Sequence, residues 1–193
     1  MGRNLVVVAH PDDETIWMGG RIIRGKDSEW AILSLCRKDD PDRKPKFFNV
    51  CGALNARGFI SDLDDDHPEE KLQGIGEVVK RIEPIVADKE FDCVFTHGGN
   101  GEYGHNRHIE ANAAVLHMVR EGRIKCKSLF EFDYLRVEKP FMCVPNPDAK
   151  IKISLSGTEF DAKRRLITKA YGFLAGSFEA MSCSATESFR KVL

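Results

Sequence analysis

In the first hundred positions, apolar residues gather into three short runs, separated by segments with helical spacing. Leu5-Val6-Val7-Val8-Ala9, Trp30–Leu35 and Phe91–Thr96 are rich in β-branched and aromatic residues and largely lack polar alternation, the mark of strands covered on both faces. Glu14–Arg24 is expected to be a helix with Ile16, Gly19, Gly20 and Ile23 on its inner side. Phe47–Arg57 is expected to be a second helix, stopped by a left-handed cap at Gly58. The acidic stretch Asp62–Asp66 reads as a loop. His67-Pro68-Glu69-Glu70 carries the proline and acids of a helix start. Leu72, Ile75, Val79 and Ile82 give that helix one apolar face, and Pro84 is expected to kink it or begin a second piece. A helix over Asn106–Arg120 follows a glycine-rich loop.

The last third has a different pattern. Ser128–Val137 alternates like a strand, and Phe141–Leu155 mixes prolines with further β signal. A final helix is expected from Thr158, with Glu159 and Asp161 behind the cap-like Thr and with Phe160, Ile167, Ala170, Tyr171 and Leu174 forming its apolar face. Strand and helix alternate up to about residue 120, which predicts an α/β fold with a mostly parallel sheet and right-handed crossovers. No internal repeat or interdomain linker breaks the pattern, so residues 1–193 are expected to form one domain.

Composition narrows the function classes. The formal net charge is −1, with 42% hydrophobic and 31% charged residues. Such a chain has no global field for nucleic acid or a membrane surface. No apolar run reaches about 18 residues, which excludes an ordinary transmembrane helix, and the N-terminus lacks the pattern of a signal peptide. Six scattered cysteines form no C-x-x-C pair. These features together imply reduced thiols and a cytoplasmic location. A homo-oligomer is left open.

Two polar clusters each follow a buried strand, the place where open α/β sheets bind ligands. One is His10-Pro11-Asp12-Asp13-Glu14. The other runs from His97 to His108 and includes Glu102-Tyr103-Gly104-His105-Asn106-Arg107-His108. The first lacks the glycine turn that cradles a dinucleotide. Its adjacent carboxylates point in different directions, so one can hold a metal while its neighbour faces the metal's water. His105 and His108 lie three apart at a helix start, on roughly one face. A histidine, an aspartate and a second histidine, with a fourth position left to water, make the open arrangement of catalytic zinc.

Blander readings stand beside these. Glu14 can simply favour a helix N-terminus, and His97 reads as a structural residue at a strand end. His67 and Asp64–Asp66 read as a solvated loop, and His117 as packing or surface.

Ala9-His10-Pro11-Asp12-Asp13-Glu14 with Gly19-Gly20, and Glu102-Tyr103-Gly104-His105-Asn106-Arg107-His108, resemble the two signatures of the LmbE-like family. This is the superfamily of N-acetylglucosaminyl-phosphatidylinositol de-N-acetylases and of the deacetylases of mycothiol and bacillithiol synthesis. Lys169-Ala170-Tyr171 sits where that family often has a weaker third pattern. The resemblance implies a Rossmann-like fold and one Zn2+ ion, with His10, Asp13 and His108 as ligands and Asp12 as general base. It further implies that His105, protonated, and Tyr103 stabilise the oxyanion. The implied reaction removes acetyl from an N-acetylglucosamine-type sugar or conjugate, most simply a soluble one. Hydrolysis of another amide or ester, and a non-catalytic carbohydrate- or nucleotide-binding module, are the competing readings.

Two departures from the family pattern bear on substrate. Asn106-Arg107 replaces Pro-Asp, so Arg107 is expected either to depress the pKa of His105 by like-charge repulsion or to project toward an anionic substrate group. Lys46-Phe47-Phe48-Asn49 replaces a helix start that carries sugar contacts. Arg43 and Lys46 are thus candidate substrate-binding residues, with a solvated basic loop as the alternative.

Overall fold

The computed structural model describes residues 2–193. The chain runs β1 (Arg3–Val8), α1 (Asp13–Arg24), β2 (Glu29–Cys36), α2 (Arg43–Ala53), β3 (Arg57–Leu63), α3 (Gly76–Val86), β4 (Glu90–Thr96), a single turn α4 (Gly101–Gly104) and α5 (Asn106–Arg120). There follow β5 (Lys125–Phe132), the hairpin β6 (Tyr134–Glu138) and β7 (Phe141–Pro145), β8 (Ile151–Ser154), α6 (Gly157–Arg165) running into a π turn over Leu166–Ala170, α7 (Phe178–Ser182) and β9 (Thr186–Lys191).

Seven strands form one sheet in the order β3-β2-β1-β4-β5-β9-β8. The first five are parallel, while β9 runs antiparallel to both β5 and β8. The chain therefore winds outward from β1 in one direction and then restarts at β4 in the other. The crevice between the C-terminal ends of β1 and β4 is the switch point of the sheet. Both polar clusters sit there.

Two apolar layers sandwich the sheet. Val6 and Val8 of β1 face one layer with Trp17, Ile22, Phe47 and Phe95. Leu5 and Val7 face the other with Val78, Ile82, Val94, Ala114 and Met118. Burial on both faces is what the unbroken apolar run of β1 predicts. Gly19-Gly20 has a packing origin: a Cβ on Gly20 would fall inside the Leu155 side chain, and one on Gly19 would meet Lys163 at 3.3 Å.

Several expected boundaries are displaced. Gly58 is no helix cap, because α2 ends at Ala53 and Gly58 lies within β3. The left-handed position is Asn55, at φ 53°. Residues 67–75 form turns rather than a helix start, and α3 begins at Gly76 and runs through Pro84 to Val86. The cap of α6 is Ser156, reciprocally bonded to Glu159 in a capping box, rather than Thr158. Leu174 belongs to no apolar face, being 79% exposed. The expected final helix is not the last element, since α7 and β9 follow it. No helix among the described residues is long and apolar enough to cross a membrane.

Candidate active site

The two strand ends are tied together before any ligand is considered. Thr96 Oγ1 donates to Val7 O at 3.0 Å, and the Ala9 amide donates to His97 Nε2 at 3.0 Å. Since His97 Nε2 accepts, its proton sits on Nδ1, which donates to Glu102 at 2.8 Å. His97 is fully buried, as befits a structural strand-end residue.

Three side-chain atoms converge just beyond these ties. His10 Nδ1 lies 3.3 Å from Asp13 Oδ2, His108 Nε2 lies 3.4 Å from the same oxygen, and the two imidazole nitrogens are 3.3 Å apart. Tetrahedral bonds of about 2.0–2.1 Å place neighbouring donor atoms about 3.3–3.4 Å apart. The triangle therefore has the edges of one face of a metal tetrahedron, and its donors are two imidazole nitrogens and a carboxylate oxygen. Among the described residues, this trio is one of four groups of metal-capable side chains. It is the group whose histidines each have the far ring nitrogen held by a carboxylate: His10 Nε2 donates to Asp65 at 3.0 Å, and His108 Nδ1 donates to Glu102 at 2.6 Å. Such outer carboxylates fix the ring orientation and leave the inner nitrogen free to bind. Asp13 is fixed as well, accepting from Trp17 Nε1 at 2.9 Å and from the His10 amide at 2.8 Å.

Electrostatics separates the adjacent aspartates. Burial opposes ionisation of Asp13, but His108, His97 and His10 outweigh it and hold its carboxyl well below the usual range. Burial and the neighbouring Asp13 charge push Asp12 well above that range, and Arg43 offsets only part of the rise. Arg43 Nη1 pairs directly with Asp12 Oδ2, and its guanidinium lies 4.6 Å from the Phe173 ring centre. Glu102, although buried, is held down at about 2 by His97 and His108.

His10, Asp12, Asp13, Arg43, Tyr103 and His105 line a cavity of about 320 Å³. His108 lies behind them, fully buried. A larger cavity of about 800 Å³ lies at the opposite edge of the sheet, beside Arg3, Trp30 and Phe91, and holds none of the clustered site residues. The clustered titratable residues line the smaller one.

His105 departs from expectation in protonation. As the N-cap of α5, its Nδ1 accepts the Arg107 amide at 3.2 Å. A second ring proton would point at that N–H. Burial, followed by the charges of His108 and His10, lowers its pKa to about 3. His105 is therefore neutral, with Nε2–H as its donor, rather than protonated.

Arg107 is neither the cause of that shift nor a substrate contact. Only 2% exposed, it donates to the carbonyls of Asp64 and Glu70 and to the Glu110 carboxylate. It holds the acidic loop in place. Lys46 also leaves the site, pairing with Asp42 at 2.7 Å outside the cavity lining.

The residues that sequence reasoning left without a role at the site are Glu102 and Asp65. Glu102 stands inside the second cluster, five positions after His97, and that placement is a readable signal. Asp65 reads as one acid of a solvated loop, but its side chain is buried against His10 and Arg37, at 3.0 and 2.9 Å. No local pattern distinguishes it from Asp64 or Asp66.

A deacetylase of 1D-myo-inositol 2-acetamido-2-deoxy-alpha-D-glucopyranoside from Corynebacterium diphtheriae is 25% identical over 152 residues, covering 61% of this chain and 52% of the relative. The chain thus spans about half the length of that curated relative. The solved 4-carboxy-2-hydroxymuconate hydratase GalB from Pseudomonas putida KT2440 matches with a TM-score of 0.73 at 15% identity, over 100% of this chain and 97% of its own. A deacetylase of teicoplanin biosynthesis matches with a TM-score of 0.66 at 14% identity, over 88% and 84%. A hydratase and a deacetylase on one scaffold show that these likenesses speak to fold and leave the reaction to the site. Residues 5–119 match the model of the PIG-L family, described as GlcNAc-PI de-N-acetylase, and this stretch carries both strand-end clusters; the chain belongs to that family.

Proposed function

We propose that the chain is a zinc-dependent hydrolase that removes the acetyl group from an N-acetylated amino sugar, free or conjugated. The observation that carries this reading is the triangle of His10 Nδ1, Asp13 Oδ2 and His108 Nε2, with edges of 3.3–3.4 Å and a carboxylate behind each imidazole. Two nitrogens, one oxygen and an open fourth position suit catalytic zinc. Zinc held there supplies an acidified water, with a pKa near about 7, and polarises an acyl oxygen.

The protein's own groups do the rest. Asp12 lines the same cavity and is pushed toward the protonated form, as suits a group that takes a proton from the attacking water and returns it to the departing amine. Neutral His105, through Nε2–H, and the Tyr103 hydroxyl are the donors for the acyl oxygen. The Tyr103 ring is held against Phe178, with centroids 4.8 Å apart, and against His108 at 5.3 Å. Arg43 contacts substrate hydroxyls beside the reacting amide. An amino-sugar substrate is supported by the names of the matched family and of the Corynebacterium relative. Six free cysteines suit a reducing compartment.

The test is zinc-reconstituted protein assayed for free-amine release from a panel of acetylated amino sugars and their conjugates. Asp12→Asn is expected to keep its zinc and lose about 10²–10⁴-fold in kcat. Turnover of simple esters or other amides alone would replace the substrate class. Failure to hold stoichiometric zinc would leave a binding module.

A further inference from the structure

Glu14 and Tyr171 take no part in the chemistry above, yet both are buried beside it. Their connection begins at Asp12, whose backbone sits at φ 119° and ψ −31°. A non-glycine residue in such a region is strained and persists only where its surroundings enforce it. The strain has a geometric result. Asp13 Oδ2 joins the proposed metal-binding triangle, while Asp12, immediately before it in the chain, faces Arg43.

The restraint on Asp12 is visible. Its amide donates to Glu14 Oε2 at 3.1 Å, and its carbonyl accepts from Thr15 and Ile16, each at 2.9 Å. Glu14 is fully buried, and its other oxygen accepts from the Thr15 hydroxyl at 2.6 Å and from the Tyr171 hydroxyl at 2.8 Å. Tyr171, 157 residues away in sequence, directly follows the π turn, which its own amide closes onto Leu166 O at 2.9 Å. A π turn inserts a residue into a helix and re-aims whatever follows it, and such turns are frequent at functional sites.

We propose that Glu14 and Tyr171 are positioning residues for Asp12. Tyr171 fixes the Glu14 carboxylate, Glu14 holds the Asp12 amide, and the Asp12 side chain is thereby turned away from the metal ligands and into the cavity. The C-terminal third thus reaches the Asp12 amide through the Tyr171 hydroxyl and Glu14. The kinetic arm of the test rests on Asp12 acting as the base.

Three variants decide the matter. Tyr171→Phe removes the hydroxyl alone. Glu14→Gln keeps an oxygen for the Asp12 amide and turns its NH2 toward hydroxyls that can accept. Glu14→Ala removes the hold. Expected losses in kcat are about tenfold for Tyr171→Phe and about a hundredfold for Glu14→Ala. Glu14→Gln is expected to recover most of the Glu14→Ala loss, and all three should keep an unchanged KM and full zinc content. The Asp12 amide, followed by NMR hydrogen exchange, should exchange about tenfold faster in Tyr171→Phe and in Glu14→Ala. Unchanged exchange in both variants would overturn the proposal, as would equal kcat losses for Glu14→Gln and Glu14→Ala, or losses that follow zinc content. If the wild type releases no amine from any acetylated amino sugar, the proposed function fails by itself and the exchange rates alone decide this inference.

Discussion

His108 donates its Nδ1 proton to Glu102 Oε2 at 2.6 Å, and both side chains are fully buried. The same oxygen takes the Nδ1 proton of His97 at 2.8 Å, while Glu102 Oε1 accepts the Gly98 amide at 2.7 Å. One carboxylate therefore orients the third proposed metal ligand and the strand-end histidine together. Glu102→Ala is expected to weaken zinc binding by about 10–100-fold, the usual consequence of removing an outer-shell carboxylate. Competition with a chromophoric chelator measures this directly. An affinity within twofold of wild type would show that His108 needs no such partner.

Asp65 does for His10 what Glu102 does for His108, with one difference. Among the described residues its buried Oδ1 has no hydrogen-bond partner, and it sits 3.9 Å from Arg107 Nε. Asp65→Ala should therefore lower zinc affinity in the same range of about 10–100-fold. Asp66→Ala removes an exposed neighbour from the same acidic run and should leave affinity unchanged. Equal effects from the two would mean that the loop acts through its summed charge rather than through the His10 contact.

The contrast between these acids shows where sequence reading stops. Strands β1 and β4 and helix α5 are legible because their apolar pattern reports burial directly, and the two clusters at the strand ends inherit their place from those elements. Strand β9 is not legible. Thr186-Glu187-Ser188-Phe189-Arg190-Lys191 looks like a polar tail, yet Glu187 is fully buried because Lys163 and two amides of α1 come to meet it. Arg107 misleads in the same way: its charge suggests a ligand, and its partners are loop carbonyls supplied from about forty residues upstream. Where burial depends on a partner remote in sequence, local pattern carries no signal of it.

Glu159 links the start of α6 to the end of α1, accepting two bonds from Arg24 at 2.8 and 2.6 Å and one from its own capping partner, the Ser156 amide, at 2.8 Å. The Arg24 hydrogen bond and then the Ser156 amide lower its pKa to about 2. A depressed carboxyl pKa stabilises the fold above the unfolded value, near about 4.3, and that contribution disappears as pH falls through the folded value. Glu159→Gln should therefore be less stable than wild type at pH 6, and the gap should close between about pH 4.3 and 2. Urea midpoints across that range test it, and a gap independent of pH would place the contribution in shape rather than charge.

Lys163 and Glu187 form a fully buried ion pair, with Nζ 2.7 Å from Oε1. Their surroundings are unequal. Helix α1 breaks its regular geometry at Met18, at φ −147° and ψ 16°, and Glu187 accepts the Gly20 and Arg21 amides just beyond the break, each at 2.7 Å. Its carboxylate thus serves a restarted helix as a cap would. Among the described residues, Lys163 has only Ser184 O, at 3.2 Å, besides Glu187. Glu187→Gln strands a buried ammonium and turns an amide NH2 toward one of the two backbone donors, at an expected cost of about 3–5 kcal/mol. Lys163→Met leaves a carboxylate that still holds two amides, so its cost should be smaller. The double variant should be more stable than the sum of the two losses predicts, because no lone charge remains buried. Urea denaturation with a common m-value gives all three numbers. Equal and additive losses would mean that the pair is uncoupled and that Glu187 acts on α1 alone.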